Sequence, residues 1–214
     1  RQGRDGTPIK LRTYEYTEHS AIIVPPAIGG SSSSSSSSGG LSSEFTATIY
    51  PIAKVIEYRN EDGTGPIETS FAYEWHLGTL EMQQRVTTLP AVPVTQNGSG
   101  VAATRTERFD TYGNLVWLKD ERSYITYHEY DIALGKVRQT IQDFDDGVLT
   151  LPSGWSTPAD GGKHIVSDYE YDDLGRQTQM LGPEHTVDIG GTAKAIRQAN
   201  WTVYDDVNLE TRSA

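Results

Sequence analysis

The chain contains no cysteine, so a disulfide, a thiolate metal ligand and a cysteine nucleophile are all excluded. Long apolar runs are missing too. The best, Ala21 to Ile28, is broken by Pro25-Pro26 and falls far short of the roughly 18 residues a membrane-spanning helix requires. Basic side chains are scarce, 18 against 29 acidic. The resulting net charge of −11 repels phosphate backbones, which makes nucleic acid a poor partner and favours solubility or cation binding at an outer surface. Helical periodicity is nearly absent, Ala193 to Gln198 being the one short stretch that admits it.

Catalytic signatures are also lacking. His19, His76, His128, His164 and His185 are scattered, with no His-Glu-x-x-His and no short pair at metal-ligand spacing. There is no Gly-x-Ser-x-Gly elbow and no phosphate-binding Gly-x-x-x-x-Gly-Lys loop. Asp62-Gly63-Thr64-Gly65 has the look of an aspartic protease triplet, but its neighbours Asn60, Glu61 and Pro66 make it a turn by composition.

What the chain does have is turns and rings. A hydrophobic share of 36% is small for one thick aliphatic core, whereas 12 Tyr and 4 Trp bury large areas while keeping a polar tip that can pair. With 21 Gly and 10 Pro the chain must reverse often. An aromatic, an Asp, a short spacer and a Gly recur as Phe109-Asp110-Thr111-Tyr112-Gly113, Tyr130-Asp131-Ile132-Ala133-Leu134-Gly135 and Tyr171-Asp172-Asp173-Leu174-Gly175. Their Asp residues are 21 and 41 positions apart, about one and two units of a repeat.

The physics of the recurrence is that of a hairpin turn. The Asp accepts hydrogen bonds from amides just ahead of it, and the Gly tolerates positive φ. Tyr169-Glu170-Tyr171 alternates with period two and sends both rings to one face of a strand. Tyr204-Asp205-Asp206-Val207-Asn208 reads as a degenerate copy with Asn208 in the glycine position. Tyr73 to Gly78 is a copy short of one spacer residue and with His76 for Asp, and Tyr14-Glu15-Tyr16 keeps only the paired rings. Gly113 to Leu118, the polar reversal Lys119 to Ser123, and Tyr124 to Tyr130 form the cleanest hairpin.

The phrases Tyr169-Glu170-Tyr171-Asp172-Asp173-Leu174-Gly175-Arg176 and Arg108-Phe109-Asp110-Thr111-Tyr112-Gly113-Asn114-Leu115 resemble the YD repeats of the RHS family of large bacterial surface and toxin-associated proteins, similar to those of teneurins. Asp120 to Tyr127 is similar to the second half of that repeat, and good matches cover roughly residues 105 to 180. In their insertions and Tyr-rich wording the repeats look like those of planctomycete members. The resemblance implies an all-β fold of tandem hairpins stacked into a spiralling sheet or shell-like solenoid. Its repeat-signature residues here are Phe109, Asp110, Gly113, Tyr130, Asp131, Gly135, Tyr169, Tyr171, Asp172, Gly175 and Arg176. These residues lack the family's Asp-Pro-rich self-cleaving core and any toxin domain, so only the scaffold is carried over.

Organisation along the chain is expected as a partial repeat at 1–28, a Gly/Ser tract at 29–43, degenerate hairpins at 44–100, and YD repeats at 101–214 with an insertion at about 142–163. The opening at Arg1, inside a half-repeat and without Met or signal peptide, leads us to expect a processed or excised piece of something longer. Ser31, Ser32, Ser33, Ser34, Ser35, Ser36, Ser37 and Ser38 form the tract's centre. It is either a flexible linker reaching roughly 26 Å when extended, a carrier of O-linked sugar, or a strand against a neighbour. Asn97-Gly98-Ser99 and Asn200-Trp201-Thr202 fit the N-glycosylation sequon.

Asp143, Asp145 and Asp146 cluster before Gly147 as a weak Ca²⁺ candidate, against the plainer reading of an Asp-rich turn. They open the insertion, which is either a decayed repeat or one long loop. Its Trp155 is either a ligand contact or a ring that pins the loop to the sheet. Tyr124, Tyr130, Tyr169 and Tyr171 likewise form a structural ladder or a sugar-stacking platform, with their recurrence favouring the ladder. The functional expectation is a non-enzymatic extracellular scaffold without cofactors, whose partners are other copies of itself or adjacent repeats of a longer chain. The alternative is an adhesion or carbohydrate-binding module of a larger RHS surface or toxin protein, with glycans as partners. A polysaccharide-acting enzyme would need a pair of carboxylates facing one groove, and no such pair can be picked out.

Overall fold

The computed structural model describes residues 6, 10–24, 44–145, 147 and 149–214. Among them there is no α-helix; every longer element is a strand, and the pairings within each of the chain's two units are antiparallel. The chain divides into two compact units, Arg1–Ala103 and Thr104–Ala214.

In the first unit the strands are β1 (Arg12–Tyr16), β2 (His19–Ile23), β3 (Phe45–Ile49), β4 (Ile52–Tyr58), β5 (Pro66–Trp75) and β6 (Met82–Thr88), followed by a 3₁₀ turn at Val94–Gln96. They form a sheet in the order β1-β4-β5-β6 and a separate two-stranded ribbon, β2-β3. Strand β1 therefore skips the ribbon to pair with β4, Arg12 opposite Glu57 and Tyr16 opposite Ile52. Arg12 and Glu57 also form an ion pair across that register.

The second unit is a meander of β7 (Thr104–Phe109), β8 (Leu115–Lys119), β9 (Ile125–Asp131), β10 (Lys136–Gln142), β11 (Ile165–Tyr171), β12 (Gln177–Ile189), β13 (Thr192–Asp205) and β14 (Glu210–Ser213). Each strand pairs with the next, so spatial order equals chain order. Ala193 to Gln198, which admits a helix by periodicity, lies inside β13, and its residues Ala193 to Arg197 pair with Glu184 to Asp188 of β12. Cross-strand pairing overrides the weak local preference of six residues. The turn joining these two long strands is Gly190-Gly191, both at positive φ (64° and 82°), the geometry that matches the right-handed twist of a hairpin.

The unit's core is small and lies beside β8 to β11. Ile125 and Phe144 are fully buried and Ile141 nearly so, with Trp117, Tyr127, Leu151, Trp155 and Val166 packed against them. Phe144 and Trp155 come from the segment between β10 and β11, which contains no strand among the described residues. Its described residues fold onto the sheet through Phe144 and Trp155.

Candidate functional site

Along one end of the second unit's sheet, the turns after β7, β9, β11 and β13 carry the recurring Asp. Asp172 shows how the sequence makes the turn. Its Oδ1 accepts the amides of Leu174 (3.0 Å) and Arg176 (2.9 Å), while its main chain exchanges bonds with Gly175 (2.8 Å) and Arg176 (3.0 Å). Gly175 sits at φ 73°, where a side chain is strained. The Arg176 guanidinium donates to Asp172 Oδ2 (2.7 Å) and reaches Asp206 of the next turn (2.5 and 2.9 Å). Asp110 accepts Tyr112 and Asn114 amides at 2.9 Å in the same way, with Asn114 Nδ2 on its second oxygen.

At the opposite end, Asp120 builds the same turn. It takes the amides of Arg122 (2.9 Å) and Tyr124 (2.8 Å), and Ser123 occupies the glycine position at φ 71°. The Asp131 turn is one residue longer, with Gly135 at φ 63°. The Asp205 turn shares that longer pattern. Its left-handed residue is Leu209 (φ 55°), not Asn208, which instead returns its side-chain amide to Asp205 Oδ2 (2.7 Å). The five-residue spacing decides the position, and the tolerance of Asn for the left-handed region is not used.

These bonds hold the Asp172 carboxyl below its usual range, the Arg176 amide being the largest cause, and its guanidinium and the Leu174 amide adding to it. A folded-state value below the unfolded one gives stability that is present above about pH 4 and lost as pH falls through the folded value. Asp172→Asn is therefore expected to lower Tm at neutral pH, with the gap to wild type closing in a melting series taken below about pH 4. A gap that stays constant across the series would remove the carboxylate from the account.

Beside the turns, the strand pairing slips by one residue. Slips lie at Glu15/Tyr16, Glu74/Trp75, Arg108/Phe109, Val137/Gln139 and Glu170/Tyr171. Each leaves one extra residue on a strand leaving the turn region, such as Val116 or Thr178, which is a β-bulge. Next to the bulges, tyrosine hydroxyls donate to main-chain carbonyls of the preceding strand. The pairs are Tyr73 to Ile52 (2.7 Å), Tyr130 to Leu115 (3.1 Å), Tyr171 to Val137 (2.8 Å) and Tyr204 to Gln177 (3.1 Å). In the last three the acceptor is the second residue after the previous turn's left-handed glycine: Gly113, Gly135 or Gly175. Burial pushes the phenols of Tyr73, Tyr130 and Tyr171 above their ordinary value, so they stay protonated donors. Tyr171→Phe is expected to cost about 1 kcal/mol by denaturant titration, one neutral hydrogen bond. An unchanged midpoint would reduce these rings to their packing alone.

Tyr169 is half-buried on the same face as Tyr171, with Glu170 exposed between them. Tyr124 reaches the insertion, its hydroxyl donating to Asp160 Oδ2 (2.8 Å). Phe109 supplies no hydroxyl at its position.

In the first unit, the bulge at Glu15/Tyr16 leads into the β2-β3 ribbon where the other copies have a short turn. Thr17 N closes onto Pro51 O at 2.9 Å. The serine tract Ser31–Ser38 falls in the connection between β2 and β3, outside the described residues. Since β1 and β4 pair directly, the tract interrupts one unit instead of joining two. His19 at the ribbon's base stacks on Trp75 (4.2 Å, 4° between planes) and donates from Nε2 to Thr79 O (2.8 Å). At the Asp position, the main-chain carbonyl of His76 accepts the Thr79 amide (3.0 Å), with Gly78 left-handed at φ 72°.

The insertion is closed at its neck by Asp143, whose Oδ1 accepts the Gly162 amide (2.8 Å) and Oδ2 the Lys163 amide (3.1 Å). Both oxygens accept main-chain N–H groups, so the carboxylate clasps the two ends of the loop together. Asp145 Oδ1 accepts Gly147 N (3.0 Å), and Asp146 lies outside the described residues. Among the described residues no three His, Cys, Asp or Glu side chains gather as a metal site. Trp155 is half-buried against the core cluster, with Lys119 Nζ 5.8 Å above its ring. Asp62 accepts the Thr64 amide and hydroxyl (2.9 and 2.7 Å) within its own turn. Both sequon asparagines are exposed: Asn97 at φ 61° at the end of the 3₁₀ turn, and Asn200 on β13 opposite Met180.

Sequence reasoning missed two features. A groove of about 420 Å³ lies over β11 to β13 beside Trp201, a residue read only as the middle of a sequon. Arg197, unremarkable in sequence, donates to Asp168 Oδ2 (2.6 Å) and to the carbonyls of Gly182 (2.6 Å), Leu181 (3.1 Å) and Val166 (3.2 Å). It stands where β12 shifts register between Leu181 and Glu184.

No family model matches the chain, and no curated protein does. Among solved structures it is similar to the crystal structure of TcdB2-TccC3-TEV, at 15% identity and TM-score 0.27 over 96% of this chain. It is also similar to that of TcdB2-TccC3-Cdc42, at 12% identity and TM-score 0.26 over 95%. The chain spans 11% and 12% of the length of those chains.

Proposed function

We propose that this chain is a non-enzymatic, extracellular structural scaffold of RHS/YD repeats, whose hairpins stack into a spiralling sheet and whose copies associate edge to edge into a surface fibre or shell. The observation that carries this reading is the repeated turn, bulge and tyrosine unit. Its Asp carboxylates are engaged by their own turn amides and three of its tyrosine hydroxyls by the neighbouring strand, which leaves these signature groups to architecture.

Association is supported by the strand edges. Strand β14 pairs only with β13, and β1 only with β4, among the described residues. Beside β14, Val207 and Leu209 are more than nine-tenths exposed and Val203 is well exposed. An open edge with apolar neighbours is a template for another strand, and joining two different edges head to tail gives an open polymer unless rotation closes it.

The test is sedimentation velocity and electron microscopy of the purified chain across a concentration series. Polymers or closed particles are expected, and Thr211→Lys on β14 should return them to monomers by placing a charge on the edge. A chain that stays monomeric throughout, or a variant that assembles as well as wild type, overturns the reading. Intact mass of the same material reports whether Ser31–Ser38, Asn97 or Asn200 carry sugar.

A further inference from the structure

We infer that the groove beside Trp201 is a saccharide-binding site that takes a neutral pyranose against the indole face. Trp201 stands on β13 half exposed, an unusual position for the largest apolar side chain. Its ring is held in place, because Nε1–H donates to Gln179 Oε1 at 2.7 Å. The indole therefore offers a ligand only its flat face.

Around that face, the groove presents Glu170 from β11 and Thr178 and Gln179 from β12, with Val203 alongside. Thr178 is the extra residue of the bulge opposite Glu170/Tyr171, and bulges re-aim side chains next to binding sites. The Glu170 carboxylate has no hydrogen-bond or ion-pair partner among the described residues. Gln179, with Oε1 occupied, has its Nε2 amide protons to give, and Thr178 both donates and accepts. At about 420 Å³ the groove falls in the size range of small-ligand clefts, about 300–1,000 Å³.

This inventory selects among ligands. A pyranose has a C–H face that packs on an aromatic plane and an edge of hydroxyls that both donate and accept, which matches one acceptor-only group, one donor amide and one two-way hydroxyl. A cation matches the ring and Glu170 but meets the Gln179 N–H with the wrong sign, and the Arg176 guanidinium already covers Tyr204 at 4.3 Å at that end of the groove. An anionic ligand meets Glu170 and a chain of net charge −11. The other polar groups lining the groove are committed, Asp172 to its turn, Tyr204 to Gln177 O and Thr202 to the Ser213 hydroxyl.

The site stands apart from the scaffold reading, and the two fail separately. The full chain is titrated with cellobiose, N,N′-diacetylchitobiose and, as a cationic probe, spermidine, following the Trp201 indole resonance by NMR. A neutral disaccharide is expected to shift that resonance with an affinity of about millimolar. Trp201→Ala should abolish binding, and Glu170→Gln should weaken it about tenfold by removing a charged acceptor. No shift with either disaccharide, a shift with spermidine alone, or an affinity unchanged in Glu170→Gln overturns the proposal. The exposed Glu170→Gln variant decides the matter even if Trp201→Ala does not fold, and its assembly by sedimentation should equal wild type.

Discussion

Phe144→Ala is expected to destabilise the Thr104–Ala214 unit by about 3–5 kcal/mol in urea titration, the range for removing a large aromatic from a packed interior. Phe144 is fully buried, edge-on to Trp117 (5.1 Å) and Tyr127 (6.0 Å), with His164 at 5.3 Å. Its amide donates to Ile125 O (2.9 Å) and its carbonyl accepts the Thr157 hydroxyl (3.0 Å). The insertion is thus tied to β9 through one residue, and the cavity left by alanine has rigid rings around it that cannot easily collapse. Phe144→Leu, which keeps most of the volume, should cost about 1 kcal/mol. Hydrogen exchange should show protection lost first at Gly162 and Lys163, whose amides close the loop neck. A loss below about 1 kcal/mol for alanine would mean that the insertion is held instead by its other ties, Asp143 at the neck, the Tyr124–Asp160 bond and the packing of Leu151 and Trp155.

Arg197→Met is the second large effect, about 2–4 kcal/mol. The substitution strips three carbonyls of their donor and leaves Asp168 with Gln139 Nε2 (2.7 Å) as its remaining partner. Both ion-pair partners keep about three-tenths of their side-chain surface in water, which holds the cost below that of a fully dry pair. Most of the effect then belongs to the orphaned carbonyls at the register shift. A cycle with Asp168→Ala separates the two: the double variant should be little worse than Arg197→Met alone, and fully additive losses would contradict the shared arrangement.

Much of the second unit was legible in sequence because Asp and Gly have few other reasons to recur together at hairpin spacing. The turns at Asp110, Asp131 and Asp172 fall where those residues place them. What was not legible is which residue turns left-handed where Gly is absent: the reversals at Lys119 to Ser123 and after Tyr204 can be read in sequence, their left-handed residues cannot. Ser123 and Leu209 take positive φ because the strands on either side are already in register, a cost of roughly 1–2 kcal/mol each that pairing overrides. The insertion's anchor was hidden for another reason. Phe144 stands inside an Asp-rich run with no periodicity around it, and its burial comes from Trp117, Ile125 and Tyr127, which lie 17 to 27 positions earlier. Trp201 was masked by a three-residue sequon that drew the eye to Asn200. Arg197 answers a bulge that no pattern in β12 announces.

The four tyrosine hydroxyls beside the bulges, those of Tyr73, Tyr130, Tyr171 and Tyr204, point the same way along the chain: each donates to a strand made earlier. A polypeptide emerging from the ribosome can therefore latch each new hairpin onto finished structure without waiting for residues still to be synthesised. Removing the last hairpin leaves every earlier latch intact, while removing the first takes away an acceptor that Tyr73 needs. The array has a grain, and it runs from the amino end to the carboxyl end.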